Sequence, residues 1–387
     1  MEFPGYDDKA LEGQLSGNRF SVTYLLRGDE AAALERAKAL CVEQTVEFPV
    51  EIIDCPAIRE RLVGKIESMT FVGGRMARTV ISYADETAGE ELPQLLNVIY
   101  GNSSILPGVT LERIKLSAAQ KAYFPGPRFG VAGLRKRLGV SDRPLACTAL
   151  KPMGLPPESL ADEAYQFALG GIDIIKDDHG LMDQSFARFR RRVELVTAAV
   201  RKANAETGGH TIYVPNLSGG FRDMLSRIGL AEDCGAGGLM FAPGLVGFDM
   251  LHYTARHASL PVICHPAFLG ANLDRGKGGI DCACLMGQLP RIAGADMTIF
   301  PGYGGRFSLT KEQCRGIRDA ASEKMRSIRP IFPCVAGGMT VSRVKEMVAF
   351  YGNDTALLIG GGLFTEPGTL TENCKNFVKE LEKRKGG

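Results

Sequence analysis

From about residue 144 onward the chain repeats one rhythm: a short apolar run, a turn marked by Gly, Pro or Asp, and an amphipathic helical stretch. The apolar runs are Leu145–Leu150, Ile172–Ile175, Thr211–Val214, Gly238–Phe241, Pro261–Cys264, Met297–Phe300, Ile331–Val335 and Ala356–Ile359. Near-continuous apolar strands that alternate with helices are typical of parallel strands buried on both faces. Eight such units over about 240 residues predict a (β/α)8 TIM barrel.

An open, doubly wound sheet is the alternative for this half of the chain. That fold usually has fewer strands, and its first strand is followed by a G-x-G-x-x-G turn that binds a dinucleotide. The sequence has no such turn after Leu150, so the pattern favours the barrel.

The first 140 residues follow a different pattern. Predicted strands and helices are mixed without a regular βαβ alternation: strands at Arg19–Leu26, Thr79–Tyr83 and Val109–Ile114, helices at Glu30–Cys41 and Leu92–Tyr100. This predicts a small N-terminal α+β domain of the ferredoxin-like kind over residues 1–140. Residues 141–387 are then the TIM-barrel catalytic domain, and Phe124–Asp142, rich in Gly, Pro and Arg, is the connector.

Charge and composition exclude several classes of partner. The 46 basic and 44 acidic residues leave a net charge of +2, which gives no electrostatic reason to expect nucleic acid or an anionic membrane. No apolar run approaches the roughly 20 residues of a membrane span, so we expect a cytoplasmic protein. The ten cysteines contain one C-x-C pair, Cys282 and Cys284, and no second pair at zinc-ligand spacing, so we expect reduced, structural thiols.

Polar and glycine residues follow the predicted strands. In a TIM barrel the active site lies at the C-terminal ends of the strands. The side chains and glycines at these positions are Lys151, Lys176, Asp178, His179, His265, Gly337, Gly338, Gly360 and Gly361. Loops after strands seven and eight commonly bind phosphate through backbone N–H groups that glycine leaves accessible, which predicts a phosphate site there.

The Lys176-Asp177-Asp178-His179 segment is the densest group of polar residues at these strand ends. Side chains alternate along a strand, so Lys176 and Asp178 share one face while Asp177 points to the other. An ammonium group repels a metal cation, so a lysine is an unusual neighbour for two metal-competent side chains, and its presence makes sense if the lysine is modified.

The run Gly170–Asp178 resembles the barrel motif that surrounds the carbamylated lysine of the RuBisCO superfamily. Further matches extend over nearly the whole chain: Glu43, Gly101-Asn102, Gly126-Pro127-Arg128, Arg143-Pro144-Leu145, Lys151-Pro152, His265, Gly337-Gly338 and Gly360-Gly361-Gly362. The combined pattern is specific, and the chain is identified as a member of this superfamily.

The resemblance implies roles for individual residues. Lys176, carbamylated by CO2, would hold Mg2+ together with Asp178 and His179, with Mn2+ as the alternative ion. Lys151 would move a proton, His265 would be a further catalytic residue, and the amides of the glycine turns listed above would hold a phosphate. It also implies a homodimer in which Glu43 and Asn102 of one subunit complete the site of the other.

His179 stands where the family has a second metal-ligating carboxylate. Imidazole suits Mg2+ poorly, because that ion prefers hard oxygen ligands, and it suits softer metals better. Two interpretations therefore remain open: His179 is a metal ligand, or it has left the metal shell and transfers protons.

Other departures concern carboxylation itself. Carboxylases of the family have a second lysine where this chain has Met153, and an arginine in place of Pro266. Their lysine-bearing loop after strand six corresponds to Phe300–Phe307, which contains no lysine, and a phosphate-side serine is replaced by Ala336. These changes are similar to those in RuBisCO-like proteins, and we expect an enzyme that does not fix CO2.

The chemistry that these relatives share is a metal-stabilised enediolate formed beside a ketone. We expect a small phosphorylated keto substrate, with decarboxylation or C–C cleavage of 3-oxo-isoapionate 4-phosphate as the leading interpretation. The alternative is a methionine-salvage reaction on 2,3-diketo-5-methylthiopentyl 1-phosphate or 5-methylthioribulose 1-phosphate. A third interpretation, from another class, is a non-catalytic metabolite-binding protein, against which the retention of Lys151, Lys176 and Asp178 argues.

Overall fold

The computed structural model describes residues 8–305, 307, 309–325 and 327–383. Contacts between residues divide the chain into two units. The first ends at Pro125 and also includes Ala271–Gln288, and the second comprises Gly126–Gly270 and the chain from Leu289 onward. The predicted boundary at residue 140 lies beyond this division, and the inclusion of Ala271–Gln288 in the first unit was not predicted.

Over the described residues the strands are β1 Arg19–Arg27, β2 Lys65–Phe71, β3 Met76–Ala84, β4 Val109–Lys115, β5 Leu145–Leu150, β6 Ile174–Asp177, β7 Ile212–Val214, β8 Leu239–Phe241, β9 Val262–Cys264, β10 Gly279–Ile280, β11 Met297–Pro301, β12 Phe332–Ala336 and β13 Ala356–Leu358. The α-helices are α1 Asp8–Gln14, α2 Glu30–Glu43, α3 Asp85–Ala88, α4 Leu92–Tyr100, α5 Gln120–Tyr123, α6 Gly130–Leu138, α7 Pro157–Leu169, α8 Phe189–Thr207, α9 Phe221–Cys234, α10 Pro243–Val246, α11 Phe248–His257, α12 Leu289–Ala293, α13 Lys311–Ser322, α14 Val344–Tyr351 and α15 Leu370–Glu382.

The first unit is a mixed sheet in the order β10-β4-β1-β3-β2. Its chain order β1-α2-β2-β3-α4-β4, with β4, β1, β3 and β2 antiparallel neighbours, is the ferredoxin-like arrangement, which confirms the predicted α+β class. Strand β2 was missed at the sequence level. It lies at the edge of the sheet and is mostly exposed, so it lacks the apolar alternation that identifies a half-buried strand.

The second unit is the predicted TIM barrel. Its parallel strands follow the order β7-β6-β5-β13-β12-β11-β9-β8, and a parallel bridge from Asn216 to Met240 joins the two ends of this series. Side chains from successive strands meet in a buried core that includes Leu145, Ile174, Met240 and Phe332. The predicted strand ends hold to within about two residues, and the barrel therefore brings the predicted strand-end residues to one face.

Two further expectations concern the chain as a whole. Among the described residues, no helix combines the length and apolar character needed to cross a membrane. All ten cysteines are free thiols, and most of them are buried, so they pack as small apolar side chains.

Candidate active site

Lys176 lies in β6 with only 2% of its surface exposed. Its amine donates a hydrogen bond to the backbone oxygen of Asp177 at 3.0 Å, and the thiols of Cys147 and Cys334 lie in its surroundings. Burial lowers the pKa of Lys176, because a charged ammonium loses its hydration there. The environment thus favours a neutral amine, the form that reacts with CO2.

Asp177, the next residue, points to the opposite side and is fully engaged. Its carboxylate pairs with Arg192 at 3.1 Å and accepts hydrogen bonds from the Tyr213 hydroxyl at 2.8 Å and the Asn216 amide at 3.0 Å. Both Asp177 and Arg192 are completely buried. This network ties β6 to β7 and α8. Sequence analysis missed Arg192, because a run of three arginines at the start of a helix has the pattern of an exposed basic face.

Asp178 faces the same side as Lys176, towards the mouth of the barrel at the C-terminal ends of its strands, and there it contacts two other side chains. Its Oδ1 lies 2.5 Å from Lys151 Nζ and 3.5 Å from His179 Nδ1. Burial alone would raise the pKa of Asp178, but hydrogen bonds from His179 and Lys151 hold it well below its usual range. The carboxylate is therefore ionised over the whole working pH range and positions the Lys151 amine.

His179 and His265 form a stacked pair with ring centroids 4.7 Å apart and planes 11° from parallel. Burial lowers the pKa of His265 to about 2, because a charged imidazolium would lose its hydration there. The Ala267 amide donates to His265 Nδ1 at 3.1 Å, so the neutral ring carries its proton on Nε2. His179 keeps 49% of its side chain exposed.

Lys151 directly follows β5, and its backbone is fixed by a hydrogen bond to helix α7. Its amide donates to Glu163 Oε2 on α7 at 3.1 Å. The other oxygen, Glu163 Oε1, is buried without a hydrogen-bond partner, and burial raises the pKa of Glu163 to about 8. Sequence analysis missed Glu163, since a single Glu in an amphipathic helix gives no signal that it faces inward.

The glycine turns lie beside these groups. A Cβ added to Gly360 would be 3.8 Å from Lys151 Cε, while one on Gly361 would meet open space. Gly337 and Gly338 have φ angles of 86° and 89°, and a Cβ on Gly305 would lie 2.0 Å from the Gly337 oxygen. The loops after β11 and β12 thus approach each other closely only because glycine is present. Their predicted binding of phosphate stays a prediction.

Glu43 and Asn102 belong to the first unit, where the Asn102 side-chain amide donates to Glu43 Oε1 at 2.9 Å. The same amide group lies 3.3 Å from Glu47 Oε1, and Glu47 has an unusual positive φ of 47°. The predicted role of Glu43 and Asn102 in the site of a partner subunit stays a prediction.

Two departures from the carboxylase sequence pattern, Met153 and the loop Phe300–Phe307, can be located in the structure. Met153 is 53% exposed, and its methyl group would be 2.4 Å from a Cβ on Gly180. The thioether therefore rests on the loop that carries Asp178. Within the loop Phe300–Phe307, Arg306 lies outside the described residues.

A metal ion has no ready three-residue site here: over the described residues, no group of three His, Cys, Asp or Glu side chains is placed to hold one. Asp178 supplies one ionised carboxylate, and His179 an imidazole beside it. A carbamate on Lys176 would add two oxygens of the kind that Mg2+ prefers. The donor set thus fits Mg2+ when Lys176 is carbamylated.

Comparison with known proteins places this geometry in a family. Residues 130–372 match the family described as the ribulose bisphosphate carboxylase large chain, catalytic domain. The chain is 42% identical over 364 residues to the ribulose bisphosphate carboxylase-like protein 1 of Rhodopseudomonas palustris, covering 94% of this chain and 97% of that protein. A crystal structure of a RuBisCO-like protein from that organism superposes with a TM-score of 0.86 at 40% identity and covers 95% of this chain and 99% of the other.

Two further relatives carry the names of enzymes. The chain is 40% identical over 366 residues to the 5-methylthioribulose-1-phosphate isomerase of Rhodospirillum rubrum, covering 94% of this chain and 96% of that protein. It is 31% identical over 364 residues to the 2,3-diketo-5-methylthiopentyl-1-phosphate enolase of Geobacillus thermodenitrificans, covering 89% and 87%. The chain belongs to the RuBisCO large-chain family and groups there with the RuBisCO-like proteins rather than the carboxylases.

Proposed function

We propose that this protein catalyses proton transfer beside the ketone of a phosphorylated keto sugar, and that its reaction is the isomerisation of 5-methylthioribulose 1-phosphate. The observation that carries the proposal is the 2.5 Å contact between Lys151 Nζ and Asp178 Oδ1, next to the buried Lys176 amine. The 40% identity to an isomerase of that name, over nearly the whole of both chains, supports this substrate. It favours the methionine-salvage alternative over 3-oxo-isoapionate 4-phosphate, which none of the relatives described above carries in its name.

Each residue has a part in this reaction. Lys151 takes the proton from the hydroxyl-bearing carbon beside the ketone and returns it to the former carbonyl carbon, while the hydroxyl proton passes from one oxygen to the other. Asp178 fixes the position of the Lys151 amine. The neutral His265 carries one ring N–H that can hold a substrate oxygen. Lys176 as its carbamate and Asp178 would hold Mg2+, which supplies stabilisation of the enediolate oxygens. Gly337 and Gly360 would leave backbone amides open to the phosphate.

The test is turnover of 5-methylthioribulose 1-phosphate in D2O, followed by 1H NMR for isomerised product and for deuterium gained at carbon. We expect product with the wild type and a loss of at least a hundredfold in Lys151→Gln, the magnitude typical of a removed acid–base group. The exposed Lys38→Gln serves as the matched control, because it removes the same charge from a surface helix.

Two other substrates make the assay discriminating. Reaction with 2,3-diketo-5-methylthiopentyl 1-phosphate alone would move the assignment to the enolase, and release of CO2 from 3-oxo-isoapionate 4-phosphate would restore the decarboxylase interpretation. No reaction with any of the three, together with no thermal stabilisation by Mg2+ and bicarbonate, would instead support a metabolite-binding protein.

A further inference from the structure

A small cavity lies in the barrel unit, at the end of the strands opposite to Lys151. Its volume is about 180 Å3, and it is lined by the start of β7, the residues just before β8, the C-terminal half of α8 and the end of α6. Pockets for drug-sized ligands usually span about 300–1,000 Å3, whereas one water occupies about 30 Å3 in the liquid. The space suits a small ion or the charged end of a larger molecule.

The charged side chains that line this cavity are both arginines, Arg137 and Arg201, and the lining contains no Asp or Glu. Arg201 Nη2 donates to the Cys234 backbone oxygen at 3.1 Å, at the C-terminal end of α9. The rest of its guanidinium fork remains available. Acidic side chains do occur nearby, since Glu194 and Asp233 act on the Cys234 thiol, but they lie outside the lining.

Arg137 carries the stronger argument. Over the described residues it has no hydrogen-bond or ion-pair partner. Arg137 is exposed at the edge of the cavity, so its guanidinium is open to an anion that enters there. An arginine fork matches the paired oxygens of a phosphate or carboxylate.

Some of the polar side chains around the two arginines already have hydrogen-bond partners, and others do not. The Asn204 side chain is saturated by the Thr211 backbone, with bonds of 2.9 and 3.1 Å. The Thr197 hydroxyl, on a residue that lines the cavity, is buried without a hydrogen-bond partner. Gly235 leaves room for Arg201, since a Cβ there would lie 2.9 Å from Arg201 Nη2. Backbone and side chains thus leave the arginines exposed to the cavity.

We propose that this cavity is a binding site for a small oxyanion, a phosphate group held between Arg137 and Arg201. The phosphate can be free inorganic phosphate or the phosphoryl end of a metabolite, because the two share the chemistry that the arginines recognise. The site is separate from the glycine turns at the catalytic mouth, since it lies at the N-terminal ends of the strands.

Equilibrium dialysis of the purified protein with radiolabelled inorganic phosphate, at constant ionic strength, tests this. We expect Arg137→Gln to weaken one class of phosphate site at least tenfold, as removal of an arginine fork should. Lys136→Gln, a neighbouring surface charge that does not line the cavity, should leave it unchanged. The same titration with glycerol phosphate identifies the source, since competition from it at Arg137-dependent sites assigns the cavity to a phosphorylated metabolite.

Identical phosphate binding in Arg137→Gln and wild type overturns the proposal. A selenate-soaked crystal gives a second readout, in which an anomalous peak between the two arginines is expected and a peak found only at the glycine turns contradicts the site. Isomerase turnover should be the same in Arg137→Gln as in wild type, so the failure of one proposal leaves the other testable.

Discussion

Asp177 and Asp178 are consecutive residues with opposite surroundings. Asp177 is completely buried and its carboxylate is satisfied by Arg192, Tyr213 and Asn216. Asp178 faces the mouth of the barrel, where its nearest partner is the partly exposed amine of Lys151. Successive side chains of a strand point to opposite faces. One carboxylate therefore lies between the strands and the helices, and the other lies in the site.

The difference separates two kinds of electrostatic arrangement. Around Asp177 every charge has a fixed partner, so the network contributes to the position of β6 and its loop. The groups around Asp178 can still bind a further ligand, because the Lys176 amine is desolvated and the His179 side chain is half exposed. Perturbed groups without fixed partners are typical of sites that carry out chemistry. Substitutions on the two sides should therefore separate stability from turnover.

The largest expected effect on turnover is that of Lys176→Ala. It removes the group that would carry the carbamate, and we expect activity to fall at least a thousandfold while the far-UV circular dichroism spectrum stays unchanged. Turnover of the isomerase substrate and a thermal melt measure the two quantities. The exposed Lys375→Ala is the control, and a well-folded Lys176→Ala enzyme that retains activity would eliminate the carbamate hypothesis.

On the other side of the strand, Arg192→Ala should reduce the free energy of unfolding by about 3–5 kcal/mol, because it leaves the Asp177 carboxylate buried without its partner. Denaturant unfolding measures this. Arg191→Ala is the matched control on the same helix: its ion pair with Glu158 is exposed at both ends, so a change of about 1 kcal/mol or less is expected. Equal effects of the two substitutions would contradict a structural role specific to Arg192.

The contrast also explains what could be predicted from the sequence. The barrel was predictable because each strand is a nearly uniform apolar run. Lys151, Asp178 and His265 could be proposed as site residues because they lie at or just beyond the ends of such runs. Arg192, Tyr213 and Glu163 were not found, because their roles depend on contacts between elements far apart in sequence. Edge strand β2 was not predicted for a different reason: its residues are mostly exposed and show no apolar alternation.

Glu163→Gln should change the pH dependence of stability. The folded-state pKa of Glu163, about 8, lies above its ordinary value, so between about pH 4.5 and 8 the folded state binds more protons than the unfolded state. The wild type should lose up to a few kcal/mol of stability as pH rises through this window, and the neutral Gln should not. The difference in melting temperature between wild type and variant, measured from pH 5 to 8, checks this.

The control for that comparison is Glu158→Gln, an exposed position on the same helix. Its carboxylate is paired with Arg191 at the surface, so no pH-dependent stabilisation of comparable size is expected from it. Parallel melting curves for wild type and Glu163→Gln across the window would show that Glu163 does not remain protonated in the folded protein.

The smallest expected effect concerns the metal affinity of His179→Glu. His179 stacks on His265 and lies 3.5 Å from Asp178 Oδ1, an arrangement that suits an acid or base more than a ligand for Mg2+. We therefore expect the substitution to change Mg2+ affinity less than tenfold, measured by titration calorimetry in bicarbonate. It should reshape the pH–rate profile, because it removes an imidazole, the side chain whose charge ordinarily changes between about pH 5 and 8. A large gain in Mg2+ affinity would show instead that His179 occupies a ligand position, since a carboxylate there would complete an oxygen shell.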